Sequence, residues 1–223
     1  YMNSKLAWNS DIELEDILQK YTRFYLLDNK ELKEIIKDYY SALGDIGEIE
    51  YDKFTHKYDF SYHKYEGLPF PVVSLNDGMI RSFHWLPIND RKRTISPLIK
   101  ETLLNGQEKM LDVYKRLKSL KNDIIDEYVI GFRQHFEHEA LYMYYMMLEG
   151  STYIKALECY FEGKNEEANN LFEECIKYFE TIIENRKLYF KGEYQNWFNE
   201  ETKIGVLGLI NRIRIDQKEL LGK

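Results

Sequence analysis

The segment Asn76-Asp-Gly-Met-Ile-Arg81-Ser-Phe-His84-Trp85-Leu-Pro-Ile-Asn-Asp90-Arg-Lys-Arg93 carries the residue mixture in this chain best suited to binding. Flat aromatic faces stack on the apolar C–H faces of sugar rings, while Arg, Asn, Asp and His hydrogen-bond hydroxyls and any carboxylate. The combination fits a polar cyclic ligand. Just upstream, Tyr51-Asp-Lys-Phe-Thr-His-Lys-Tyr-Asp-Phe-Ser-Tyr62-His-Lys-Tyr65 adds a run of aromatic and imidazole rings. The competing reading is that Phe70, Phe83 and Trp85 anchor this stretch onto the rest of the protein.

A second constellation is His135-Phe-Glu-His138-Glu139. On a helix His135 and His138 share a face, a geometry that holds a metal when a neighbouring helix supplies a carboxylate. Carboxylate-bridged di-iron bundles need two Glu-x-x-His pairs, and neither histidine here has a Glu three positions earlier. The expectation is a mixed acidic and imidazole surface strip with His135 partly buried, and no metal site or cofactor. No GxSxG, Walker A, HExxH or CxxC pattern is present. The 38 Asp and Glu are too many for a general acid and base to be chosen by type. No catalytic residue is assigned.

Composition narrows the partners. The 223 residues carry a net charge of −7, and the 31 Lys and Arg are scattered among the acids without a basic block. A phosphate-binding surface needs the opposite arrangement, so nucleic acid is not an expected partner, and neither is a membrane. Cys159 and Cys175 are too few for a disulfide scaffold and read as ordinary core residues. Tyr1–Ser10 has no signal-peptide pattern, and the compartment stays open. The sequence starts Tyr1-Met2 and is expected to begin inside a longer protein.

The elements that must position these residues are helices. All four prolines lie between Pro69 and Pro97, leaving the rest of the chain free to be helical. Ser10-Asp-Ile-Glu13 is a capping box for a helix over about 11–26, and Asp28-Asn29 caps a second that carries Leu32, Ile35, Ile36, Tyr39 and Leu43 and stops at Gly44. Ser96-Pro97 opens a third, with Leu103, Leu104, Gln107, Met110, Leu111, Tyr114, Leu117 and Leu120 on its stripe. A fourth runs from Asn122 to about Glu162 with an irregularity at Gly150-Ser151. A turn at Gly163-Lys-Asn165 leads to a fifth over 166–190, and a last helix covers 201–221.

The predicted fold is therefore all-α: an antiparallel helical bundle with one long aromatic-rich, proline-containing loop region. The expected divisions are an N-terminal helix pair over 1–46, the loop region over 47–97 packed on the bundle, and the bundle proper over 98–223, all within one domain. Trp8 and Trp197 are expected to be buried.

Two patterns point further. Ala156-Leu-Glu-Cys-Tyr160-Phe-Glu-Gly163-Lys-Asn-Glu-Glu-Ala168-Asn-Asn-Leu-Phe172 has the look of one tetratricopeptide hairpin, but no second copy lies 34 residues to either side. Lys5-Leu-Ala-Trp8-Asn9-Ser-Asp11, the Gly163 to Ala168 turn, Lys191-Gly192 and Asn196-Trp197-Phe198 together resemble, in the same order, the helical region that follows the catalytic barrel in large glycoside hydrolases of the α-glucuronidase and α-N-acetylglucosaminidase type. The similarity covers both ends of the chain, and residues 45–100 match none of its patterns.

The resemblance implies an upstream catalytic barrel in the same polypeptide as partner, with the catalytic carboxylates there and little or no activity in this chain alone. It also implies that a long loop of the helical region reaches the substrate cleft, which makes Tyr62, Tyr65, Arg81, His84 and Trp85 the candidate carbohydrate contacts. The alternative is a stand-alone helical, tetratricopeptide-like module that binds protein.

Overall fold

The computed structural model describes residues 29–49, 84, 87–92, 95, 97–120, 127–189 and 205–222. Among these residues the protein is all-α, with no strand. The first helix, α1 (Lys30–Ile49), starts where Asn29 Oδ1 accepts a hydrogen bond from the Leu32 N–H at 2.9 Å, satisfying one donor that the first turn would otherwise orphan. Its apolar stripe of Leu32, Ile35, Ile36, Tyr39 and Ala42 is buried. The helix does not stop at Gly44 as expected. It continues through Gly44 and Gly47, which keep negative φ; an interior glycine costs a helix about 1 kcal/mol relative to alanine without breaking it.

Within the proline-containing stretch a single helical turn forms, α2 (Ile88–Arg91), closed by the Arg91 N–H donating to the Pro87 carbonyl at 3.1 Å. Helix α3 (Pro97–Ser119) begins at the predicted proline. Its seam runs Ile99, Leu103, Gln107, Met110, Val113 and Leu117, all buried, and leaves Leu104 53 % exposed because it lies about 100° around the helix from Leu103. Leu104 therefore does not belong to the stripe.

Helix α4 (Glu127–Phe161) is continuous over 35 residues, with no irregularity at Gly150-Ser151. A cross-helix tether sits at that point instead. Gln107 Nε2 donates to the Met147 carbonyl at 3.1 Å and to Ser151 Oγ at 2.9 Å, and Ser151 Oγ donates to the Leu148 carbonyl at 3.0 Å.

The turn into α5 (Asn165–Tyr189) is a Schellman motif: the Gly163 N–H bonds the Tyr160 carbonyl and the Lys164 N–H bonds the Cys159 carbonyl. Gly163 takes φ 77°, a region in which a Cβ would crowd the backbone. Ala156 and Ala168 on either side are fully buried, so the small residues of the hairpin let its two helices approach closely. The last helix is α6 (Val206–Leu221), ended by Gly222 in the left-handed conformation.

The helices pack largely in chain order, α1 on α3, α3 on α4, α4 on α5 and α5 on α6, with α1 also touching α4. Cross-contacts fix the direction of the central elements: Lys100 pairs with Glu158, Gln107 with Ser151, and Arg133 with the Leu117 carbonyl, so residue numbers rise along α3 as they fall along α4. Buried apolar residues from Leu32 in α1 to Ile213 in α6 form one cluster. At roughly 1.5–3 kcal/mol for each fully buried large apolar side chain, this cluster is the main stabilising term. Helix α1 crosses the expected division at 46, and α2 places helix inside the expected loop region 47–97. Trp8 and Trp197 lie outside the described residues, as do the expected first helix and residues 201–204 of the last.

Candidate functional site

The strongest concentration of polar chemistry among the described residues is inside the helix array. Glu149 and Tyr153 stand one turn apart on α4, Arg212 and Asp216 one turn apart on α6, and His84 and Arg91 enter from the stretch that precedes α3. His84, Glu149 and Tyr153 have no exposed surface, and Arg91 and Asp216 are each 1 % exposed.

Three of these residues close a hydrogen-bonded triangle. Arg91 Nη1 donates to Tyr153 Oη at 2.5 Å and to Asp216 Oδ2 at 2.6 Å, and the Tyr153 hydroxyl donates to Asp216 Oδ2 at 2.9 Å. Arg212 Nη2 adds a contact to Asp216 Oδ1 at 2.9 Å. The Asp216 carboxylate thus receives donors from α2, from α4 and from its own helix. Burial, followed by the Asp216 charge, pushes the Tyr153 hydroxyl well above the ordinary tyrosine range, so it acts as a neutral donor.

Next to the triangle, His84 Nε2 lies 3.1 Å from Glu149 Oε1. Among the described residues neither ring nitrogen and neither carboxylate oxygen has a hydrogen-bond partner, so the two groups are close without hydrogen-bond geometry between them. The His84 ring sits 4.1 Å from that of Tyr153 and 6.0 Å from that of Phe179, between α4 and α5. On the α5 side the Cys175 thiol contacts the Glu149 carbonyl at 3.7 Å. Burial, then the Glu149 charge, raises the Cys175 pKa well above the usual thiol value, which keeps it protonated and a poor nucleophile.

A second polar group lies toward the start of α4. Arg133 Nη1 donates to Glu137 Oε2 at 2.5 Å and to the Leu117 carbonyl at 3.3 Å, satisfying an acceptor in the last turn of α3. From α5 the Arg186 guanidinium lies 4.8 Å over the Tyr142 ring. His138 is 3 % exposed, and burial first, then Arg186, then His135 lower its pKa from 6.5 to about 4. The expectation for the two histidines is reversed: His135 faces solvent and His138 is the buried one, because His138 falls nearer the α5-facing side of the helix.

Of the five residues proposed from sequence to contact carbohydrate, His84 is described and is sealed in the array against Glu149. Tyr62, Tyr65, Arg81 and Trp85 lie outside the described residues. Sequence reasoning passed over Glu149, Tyr153 and Asp216, and took in Arg91 only as part of the segment 76–93. A signal existed for the two acids: Glu149 continues the buried Tyr142–Met146 stripe, and Asp216 follows Leu209 and Ile213, so each carboxylate occupies a position where the helical period calls for an apolar residue.

Among the described residues, no group of three or more His, Cys, Asp or Glu is placed to hold a metal ion, and no helix is long and apolar enough to cross a membrane. Cys159 and Cys175 are both free thiols. An open surface depression of about 530 Å³ lies at the α4–α5 turn, lined by Gly163, Lys164, Asn165, Glu166, Glu167 and Asn170. Its two carboxylates at a helix N-terminus satisfy the local backbone charge and gather no catalytic set. No protein-family model, no curated protein and no solved structure matches the chain.

Proposed function

We propose that the chain is a helical supporting region of a glycoside hydrolase-like, carbohydrate-active protein, packed beside a catalytic barrel of the same polypeptide. The observation that carries this reading is the location of the ionisable groups. His84, Arg91, Glu149, Tyr153 and Asp216 are buried between helices, where their mutual contacts fix one segment of chain against the array. Side chains used in this way build a scaffold. The resemblance carried by Lys5 to Asp11, Gly163 to Ala168 and Lys191 to Phe198 supplies the class of protein being supported. In this reading Tyr62, Tyr65, Arg81 and Trp85 contact sugar and His84 holds their segment in place.

Two measurements test it. The coding sequence upstream of Tyr1 is expected to encode a barrel, and a stop codon directly before it removes the proposal. Titration calorimetry of the chain with uronic acid-containing and N-acetylhexosamine-containing oligosaccharides is expected to show weak binding that Trp85→Ala abolishes. Binding unchanged by that substitution removes the sugar contact while leaving the supporting role intact.

A second reading, a tetratricopeptide-like protein-binding module, is favoured by the packing of helices largely in chain order and by the close α4–α5 hairpin at Ala156 and Ala168. The same upstream sequence separates the two: a module of this kind requires no barrel.

A further inference from the structure

Between Ala140 and Ile154, about four turns, helix α4 carries a single charged side chain, Glu149, and that one is fully buried. In a chain with 31% charged residues this stretch still reaches the surface, through Tyr144, Tyr145 and Leu148, all half-buried. Tyr114 on α3 and Tyr178 on α5 are half-buried as well. We propose that the four tyrosines form a platform across α3, α4 and α5 on which a neutral oligosaccharide stacks; the choice of carbohydrate rests on the proposed role in a carbohydrate-active protein.

The antiparallel register brings the rings to one level. Gln107 meets Ser151 across α3 and α4, and seven residues from each of them Tyr114 stands opposite Tyr144. On the other side Cys175 contacts Glu149, and one turn away the Tyr145 and Tyr178 ring centroids are 6.2 Å apart with their planes 35° from parallel. Tyr144 and Tyr145 meet edge to face at 5.1 Å. Tyr145 is the centre of the belt. Burial first, then Tyr144, then Tyr114 raise its pKa, so its hydroxyl stays neutral and Tyr114 lies within electrostatic reach of it. Neighbouring helices pack about 8–10 Å apart, so Tyr114 to Tyr178 spans about 16–20 Å, longer than one sugar ring.

The chemistry of the belt suits a neutral polar ring. Phenol faces stack on sugar C–H groups, and phenol hydroxyls donate to and accept from sugar hydroxyls. The two outer hydroxyls are engaged: Lys118 Nζ donates to Tyr114 Oη at 3.2 Å, and the Tyr178 hydroxyl donates to Glu174 Oε1. Among the described residues no hydrogen bond holds the hydroxyl of Tyr144 or Tyr145, which leaves the central pair for a ligand. Area points the same way. Four half-buried rings leave less than about 400 Å² to cover, about half of the roughly 800 Å² that each side of a stable protein contact buries. The face is undersized for a second copy of the chain and large enough for a few sugar rings.

Tyrosine-ring NMR spectra of the full chain, titrated with cellohexaose, xylohexaose and N-acetylchitohexaose, test the platform. At least one hexaose is expected to shift the Tyr144 and Tyr145 ring signals saturably, with its monosaccharide binding about tenfold more weakly. Tyr145→Ala and Tyr144→Ala are each expected to weaken that binding about tenfold, while Tyr145→Phe, which keeps the ring, loses less. Native hydrogen-exchange protection of α3, α4 and α5 certifies the fold of each variant. No shift with any of the three hexaoses, an equal response to the monosaccharide, or unchanged affinity in both alanine variants overturns the platform. Shifts of the same rings on raising the protein concentration without sugar assign the face to a second copy and overturn the carbohydrate occupant. A belt that binds sugar in a polypeptide with no upstream barrel refutes the supporting role alone. A belt that binds none beside a confirmed barrel refutes the platform alone.

Discussion

His138 offers a quantitative test of how the interior of α4 treats charge. The imidazole is 3 % exposed, and its pKa falls from 6.5 to about 4 through burial, the facing Arg186 and the neighbouring His135. In the folded protein it is therefore a neutral base, whereas in the unfolded chain it takes up a proton as the pH drops through 6.5. Between these two values the unfolded state binds more protons, so stability falls as the pH falls. The contribution is complete above pH 6.5, is lost progressively toward pH 4 and changes no further below. The interval from 6.5 to about 4 converts to about 3 kcal/mol. Urea unfolding of the wild type and His138→Leu at several values between about pH 7 and about pH 4 isolates this residue, because the other titrating groups are common to both proteins. The stability of the wild type relative to the variant is expected to decline by about 3 kcal/mol over that range, most steeply between about pH 6 and pH 5. A difference that stays constant with pH would show that the folded imidazole is hydrated like the unfolded one, and would refute the placement of His138 between Arg186 and the core.

Other substitutions probe separate parts of the architecture. Phe172→Ala removes a fully buried ring that packs 5.7 Å from Tyr153, and is expected to cost about 3–5 kcal/mol in urea unfolding. Asp216→Ala removes the buried carboxylate that pairs with both Arg91 and Arg212, with an expected loss of about 3–5 kcal/mol that added salt does not reduce. Arg116→Ala, which removes the partly exposed pairs with Asp38 and Asp112, is expected to cost less than about 1 kcal/mol, an effect that vanishes at high ionic strength. Gly163→Ala meets no steric obstacle from neighbouring atoms but must hold φ 77°, so the expected loss of about 1–2 kcal/mol, read from the shift in urea midpoint, measures backbone strain alone.

Helix positions were legible because they follow from local rules. Asn29 caps α1, Pro97 opens α3 and Gly163 turns α4 into α5, each for a reason contained within a few residues of sequence. Errors arose where a local signal was weaker than its surroundings. Gly44 and Gly150 both suggest a break, yet an interior glycine costs a helix only about 1 kcal/mol and both helices run on through it. The site was legible in part. The segment ending at Arg93 was singled out for its composition, but the same His and Arg that suit a ligand also suit an internal carboxylate, and composition does not distinguish the two. The partners that decide the matter for His84 and Arg91 are Glu149 and Asp216, and no local pattern links positions so far apart in the chain.

The unbroken course of α4 sets a distance between the two polar groups it carries. His138 and Tyr153 are fifteen residues apart on one continuous helix, which at about 1.5 Å per residue separates them by about 22 Å along its axis. At that distance, with the effective dielectric of about 20 that describes charges in proteins, two unit charges interact by less than about 1 kcal/mol. Protonation at one end is therefore only weakly felt at the other. The protein combines an acid-sensitive end and a charge-locked end on a single rod, and the energetic effects of His138→Leu and Asp216→Ala are expected to add, each region responding largely to its own conditions.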